Sequence, residues 1–241
     1  MSSTITFTNI GKSFVHSRSG RRDTILRGFN LVINPGELVA LVGPSGVGKT
    51  TLLHLAAGLE RPDSGSISIG GDAARRLGMV FQQPRLLDWR SVRTNIDLVA
   101  KAAGRDPDRT LRLLNEVGLS GYADAYPSVL SGGQRQRVAL ARAFAIAPEV
   151  LLLDEPFSAL DELTARRLRM LLQDMWRDTS PTGLLVTHNI LEAAFLADRV
   201  VVLGHNPARI VDMIAIDLPR PRHPEDLALF EAHRGIMRML N

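Results

Sequence analysis

The chain has 241 residues, 45% of them hydrophobic and 22% charged, ordinary values for a soluble globular protein with room for one sizeable core. Basic residues exceed acidic ones by 29 − 25 = 4, too mild an excess to argue for nucleic acid. Cysteine is absent, which excludes disulfides and thiolate metal sites, and no run approaches the roughly 18–20 apolar residues that a membrane span needs.

The start, Met1 to Thr6, lacks the basic-then-apolar pattern of a secretion signal. Ile5 and Phe7, then Leu31 to Ile33, read as strands, with the polar segment Ser17 to Asp23 as a hairpin loop between them. Glu37 to Val42 is an apolar strand leading into Gly43-Pro44-Ser45-Gly46-Val47-Gly48-Lys49-Thr50, and Thr50 to Gly58 reads as a helix stopped by glycine. That octapeptide matches GxxxxGK[ST] in the strand-to-helix context the motif requires. Its glycines let backbone N–H groups wrap an anion, and the helix start adds partial positive charge. Lys49 is then placed for the β- and γ-phosphates and Thr50 for Mg2+, with Pro44, Ser45, Val47 and Thr51 completing the phosphate-binding set.

Further along, Ser66 to Gly70 alternates like an exposed strand, and Met79-Val80-Phe81 is a short buried one. From Pro84 to about Ala145 helical patterns dominate, as in an inserted lobe. Strand signals return at Val150–Leu153, Leu184–Thr187 and Val200–Leu203, separated by helices that include Leu163 to Trp176. Strands alternating with helices imply a mainly parallel sheet covered on both faces. Residues 205–241 read as one strand, a turn rich in proline (Pro219, Pro221, Pro224) and a final helix.

The strand Val150–Leu153 ends in Asp154 and Glu155, where open parallel sheets bind ligands. Asp154 suits a magnesium shell, and Glu155, one residue on, suits a general base for water; a solvated acidic pair is the plain alternative. Leu130-Ser131-Gly132-Gly133-Gln134 opens a helix running to Phe144. Small residues there leave the amides bare and make a second anion site, unless Ser131 is only an N-cap beside a flexible glycine pair.

The phosphate loop, then Leu130–Gln134, then Val150–Pro156, in that order, resemble the ATP-binding subunit of an ABC transporter, from about residue 4 to the mid-220s. The resemblance implies an α/β P-loop NTPase (RecA-like) core with a mainly parallel sheet, an N-terminal antiparallel β subdomain and an inserted helical subdomain. The whole chain, 1–241, is then a single domain, with 1–84 and 146–241 as the nucleotide-binding core and 85–145 as the helical subdomain. ATP and Mg2+ follow as cofactors, with Thr50, Gln82 and Asp154 around the metal.

The same resemblance implies that Ser131, Gly132, Gly133 and Gln134 cover the γ-phosphate held by a second ATP-binding subunit, arranged head to tail in a homodimer. Glu155, His188 and Gln82 are implied as catalytic, with His188 on the γ-phosphate and Gln82, directly before Gln83, on metal and water. For His188 a structural hydrogen-bonding role is the plain alternative. Asp161, in Ser158-Ala159-Leu160-Asp161, is implied to join the two sites, and can cap a helix as well. Phe14 stands where the family places an aromatic on adenine; a plain core phenylalanine is the alternative.

Hydrolysis must drive something. The resemblance supplies an integral membrane permease, received near Gln82 to Trp89 with Leu86, Leu87 and Trp89 as apolar anchors, and indirectly a solute-binding protein, but no nucleic acid. It places the chain peripherally on the cytoplasmic face of the inner membrane. Arg85–Trp89, Asp154–Asp161, Ala194–Val200 and the tail Leu218-Pro219-Arg220-Pro221-Arg222 resemble the nitrate, sulfonate and taurine type of importer; Asp88 replaces the proline usual before that tryptophan. An exporter ATPase and a soluble ABC ATPase of DNA repair or ribosomes are the alternatives. The latter usually carry a second ATP domain or a long coiled coil, which 241 residues do not accommodate.

Overall fold

The computed structural model describes residues 3–15, 20–70, 76–106, 108–204 and 207–240. Strands β1 (Ile5–Val15) and β2 (Arg22–Ile33) form an antiparallel hairpin, and β4 (Ser64–Ile69) pairs with the other edge of β1. The expected hairpin loop is narrower than Ser17–Asp23, because β2 already begins at Arg22; residues 17–19 of that loop lie outside the described residues. Register shifts after Phe7, Ile10 and Lys12 bend β1. Phe7 meets Phe29 edge to face, ring centroids 6.2 Å apart, beneath this small sheet.

The second sheet runs β5-β6-β7-β3-β8-β9, built from β3 (Leu38–Val42), β5 (Leu77–Val80), β6 (Val150–Asp154), β7 (Thr182–Val186), β8 (Arg199–Gly204) and β9 (Arg209–Ala215). Every neighbouring pair is parallel except β8 with β9. Its central strands read as unbroken apolar runs because both faces are covered. Leu151 and Leu153 pack into one cluster with α2 (Val92–Ala102), α3 (Asp108–Glu116), α4 (Gly132–Ala145), α5 (Glu162–Thr179), α6 (Ile190–Leu196) and α7 (Leu227–Leu240). Val150 and Leu152 face the opposite cluster, formed with α1 (Lys49–Ala56) and the antiparallel sheet. Each such leucine contributes about 1.5–3 kcal/mol on leaving water.

Between β5 and β6 the chain makes α2, α3 and α4, which pack on one another. The strand expected to reach Phe81 stops at Val80. Phe81 leaves the sheet and its ring lies 4.4 Å from the Arg85 guanidinium, a cation–π contact that the short apolar run did not reveal. No helix among the described residues is long and apolar enough to cross a membrane.

Because β3, β5, β6 and β7 are parallel neighbours, the segments after them leave the sheet at one edge. These are the phosphate loop, Gln82, the Asp154–Glu155 pair and Thr187–His188. Ligands of open α/β sheets sit at such an edge.

Candidate functional site

β3 feeds directly into the phosphate loop. Gly43 has φ of 149°, and a Cβ on it would lie 2.3 Å from the Leu203 carbonyl oxygen of β8, so only glycine fits. α1 starts after Gly48 with no side-chain cap and no acid in its first turn, which leaves its positive end available to an anion. Lys49 is buried, and its Nζ donates to the carbonyls of Gly43 at 2.8 Å and Pro44 at 2.9 Å. Burial pulls its pKa down, and the charges of Glu155 and Asp154 oppose that shift.

Thr50 Oγ1 donates to Oδ1 of Asp154 at 3.1 Å, joining the start of α1 to the end of β6. His54, one turn along α1, brings Nε2 to 3.8 Å from Asp154 Oδ2. Burial raises the Asp154 pKa, against the lowering effect of Thr50 and His54. His54 was not anticipated from sequence, although its position four residues after Thr50 puts both on one helix face.

Glu155 stands just past β6 with φ of 43°, a left-handed conformation uncommon for a non-glycine residue, and its N–H donates to Val186 O at 2.8 Å. Its Oε2 lies 3.2 Å from His188 Nδ1 and accepts from Gln82 Nε2 at 3.4 Å. Ser158, also unanticipated in this place, donates to Glu155 O at 3.0 Å and accepts from Gln82 Nε2 at 3.3 Å. Gln82, not Gln83, makes these contacts.

Phe14 lines a cavity of about 310 Å³ together with Ser45, Gly46, Gly48, Lys49, Thr50, Thr51 and Glu155. Phe14 is 40% exposed, which corrects the alternative of a plain core phenylalanine; Lys12 Nζ sits 5.0 Å from its ring centroid. Val47, by contrast, turns its side chain into the core.

Ser131, Gly132, Gly133 and Gln134 line a different cavity, of about 560 Å³, with Asp161 and Thr164; no residue is common to the two linings. The expected bare helix start needs correction. α4 begins at Gly132, Ser131 Oγ accepts from Gln134 N at 3.2 Å, and Gln134 Oε1 accepts from Ser131 N at 2.8 Å. This capping box uses the Gln134 amide and leaves the small surface of Gly132 and Gly133 open. A Cβ on Gly133 would lie 2.7 Å from Thr164 Cγ2, so the starts of α4 and α5 approach closely. Asp161 is the N-cap of α5, accepting from Thr164 N at 3.0 Å, and that bond pulls its pKa down. Of the apolar residues near Gln82, Leu86 packs against the core, whereas Trp89 is 71% exposed.

A phosphate loop opening a helix, two acids at the end of a sheet strand, and a glutamine and histidine converging on the second acid define a nucleoside-triphosphate-hydrolysing cassette of the P-loop class. The family model "ABC transporter" matches residues 26–158, and the chain belongs to that family. It is similar to the aliphatic sulfonates import ATP-binding protein of Rhodopseudomonas palustris (strain BisA53), 46% identical over 233 residues, covering 94% of this chain and 80% of the relative. The protein of that name from Granulibacter bethesdensis (strain ATCC BAA-1260 / CGDNIH1) is 47% identical over 226 residues, covering 94% of this chain and 92% of the relative. Among solved structures, dimeric MJ0796, a bacterial ABC transporter cassette, superposes with a TM-score of 0.78 at 30% identity over 89% of this chain and 100% of that one. A post-hydrolysis dimer of the same cassette bound to ADP and Pi gives 0.78 at 29% identity, with the same coverage. The chain is an ATP-hydrolysing subunit of an ABC transporter.

Proposed function

We propose that this ATPase powers uptake of aliphatic sulfonates through a separate membrane permease, as a head-to-tail dimer bound peripherally to the membrane. The observation that carries the hydrolytic part is the convergence of His188 and Gln82 on Glu155, beside the Thr50–Asp154 pair. ATP sits on the phosphate loop, with Lys49 against its terminal phosphates and Phe14 on its base. Glu155 accepts a proton from the attacking water, and His188 and Gln82 orient the water and the γ-phosphate. The cassette of a second copy closes the site with Ser131 to Gln134, and Asp161 lies at that junction. Division into a core (1–84, 146–241) and a helical subdomain (85–145) agrees with this closure, since Ser131–Gln134 and the phosphate loop then fall on different parts.

Thr50 Oγ1, Asp154 and Gln82 offer hydroxyl, carboxylate and amide oxygens, a hard donor set that fits Mg2+, and the buried carboxylate of Asp154 gains from a cation beside it. Bound there, the ion supplies charge neutralisation on the phosphate oxygens. The sulfonate reading rests on the names of the relatives. The exposed Trp89 is the residue on which permease contact rests. Uptake of labelled alkanesulfonates, taurine and nitrate in cells carrying the wild type or Glu155→Gln tests the whole. Loss of alkanesulfonate uptake in the variant is expected; unchanged uptake of every solute overturns the importer reading.

A further inference from the structure

The tail segment Leu218-Pro219-Arg220-Pro221-Arg222, between β9 and α7, plays no part in the ATP site as described. Arg222 is 1% exposed, yet its partners are mostly neutral carbonyls. Nη1 donates to Ala194 O at 2.9 Å, Phe195 O at 3.3 Å and Ala197 O at 2.6 Å. Nη2 and Nε donate to the tail's own Ile216 O at 3.2 Å and Leu218 O at 3.0 Å. Arg220 Nη2 takes the remaining carbonyl of that turn, Leu196 O, at 2.5 Å.

The carbonyls of Ala194 to Ala197 are those that the end of α6 leaves without intrahelical partners. Two guanidinium groups collect them, at the end where the helix dipole favours cations. The other end of α6 is capped by Asn189, which directly follows His188. A helix of seven residues is too short to hold itself, so its place depends on its packing against β3, α5 and α7 and on what grips its ends.

The grip is anchored on two sides. Gln173 of α5 accepts from Arg222 N at 2.8 Å and donates to Arg222 O at 3.2 Å. Asp198 lies 2.7 Å from Arg220 and 3.8 Å from Arg222, and accepts from Leu38 N at 2.8 Å, on the strand that feeds the phosphate loop. Burying an arginine among neutral groups is a costly way to fill space, since apolar side chains of similar volume serve stability as well. A planar fork that holds several carbonyls in fixed positions is what an arginine adds.

We propose that Arg222 is a positioning residue for ATP hydrolysis: by fixing the end of α6 it sets where His188 stands against Glu155. The inference rests on the assignment of His188 to the γ-phosphate. ATP turnover is measured on the full chain as Arg222→Met, Arg222→Lys, His188→Ala and the double variant His188→Ala with Arg222→Met, at a temperature where melts show each folded. Arg222→Met is expected to lower kcat about 10-fold with KM for ATP within about 2-fold, because the phosphate loop is untouched. In the His188→Ala background the same change is expected to cost less than about 2-fold, since no imidazole remains to be placed. Arg222→Lys, which keeps the charge but loses the fork, is expected to fall between the wild type and Arg222→Met, and carries the same cycle if the methionine variant does not fold. Equal losses in both backgrounds, or wild-type kcat in Arg222→Met, overturn the inference while leaving His188 in its role. Wild-type turnover in His188→Ala overturns that role itself.

Discussion

Nδ1 of His188 lies 3.2 Å from Oε2 of Glu155, although the two residues are 33 apart in the chain. The sheet register explains it. β6 and β7 are parallel with Asp154 beside Val186, so the residues just past both strands emerge side by side. The left-handed turn at Glu155 then leaves its carboxylate within reach of both His188 and Gln82.

Glu155→Gln keeps the shape of this cluster and removes the proposed base. Turnover is expected to fall at least about 100-fold while ATP binding persists. An ATP-dependent dimer should then accumulate and be visible by size-exclusion chromatography. Near wild-type hydrolysis by this variant would remove Glu155 from the role.

Asp154→Asn separates stability from function. The buried carboxylate has its pKa raised by loss of water, and the amide escapes that penalty while still accepting from Thr50. The nucleotide-free protein is expected to melt no lower than the wild type, and the extra stabilisation that Mg2+ adds to ATP should vanish. Full retention of that Mg2+-dependent shift would show that Asp154 does not serve the metal.

Phe14 is half-exposed, so its truncation leaves the core intact. Phe14→Ala is expected to weaken ATP about 10-fold, within the roughly 1–3 kcal/mol typical of base–aromatic stacking, and to weaken GTP similarly because any base has a π-face. Phe14→Tyr should bind as the wild type does. Unchanged affinity in the alanine variant, by fluorescence titration, would show that the ring touches no base.

Glu192, on α6 and 4% exposed, carries an unpartnered Oε1, and burial pushes its pKa up to about 7. Arg169 of α5 and the side chain of Thr187 oppose the shift, and the charges of Glu155 and Glu162 add to it. The folded chain therefore binds this proton more tightly than the unfolded chain. The stabilisation is fully present below about pH 4.5 and is lost as pH rises toward 7. Glu192→Gln removes the dependence and is expected to add on the order of 2 kcal/mol at pH 8, several degrees in melting temperature, with the gain shrinking as pH falls below about 7 and gone below about pH 4.5. Because Asp154 shifts in the same direction, the measurement is the wild-type-minus-variant difference across pH; a difference independent of pH would count against the assignment.

The parts of this fold that were legible in sequence are those fixed by neighbours along the chain. The run Val150–Leu153 announces a strand covered on both faces, and the glycine-rich octapeptide before Thr50 announces its own loop. What stayed hidden depends on long-range contact. Nothing near Phe14 says that its ring stays outside the core, because the register shifts in β1 decide which way it points. Ser158 reads only as part of the segment ending in Asp161, and nothing around His54 marks it, until β6 brings Glu155 and Asp154 to them. Arg222 sits in a proline-rich turn, and its partners Ala194, Phe195 and Ala197 are carbonyls, which no side-chain pattern encodes. The glycines before Gln134 were readable as a helix start, but the reciprocal bonds between Ser131 and Gln134 changed which amides stay open.

The two cavities that share no lining residue have a kinetic consequence. On the proposed head-to-tail reading, one copy of the chain grips a nucleotide on one surface and encloses its partner's nucleotide with another, so it does not do both to the same molecule. Hydrolysis per chain should therefore depend on encounter, rising with protein concentration and fading on dilution. A permease that holds two copies side by side would replace that encounter with permanent proximity, and the transporter's assembly would itself act as the throttle on ATP consumption.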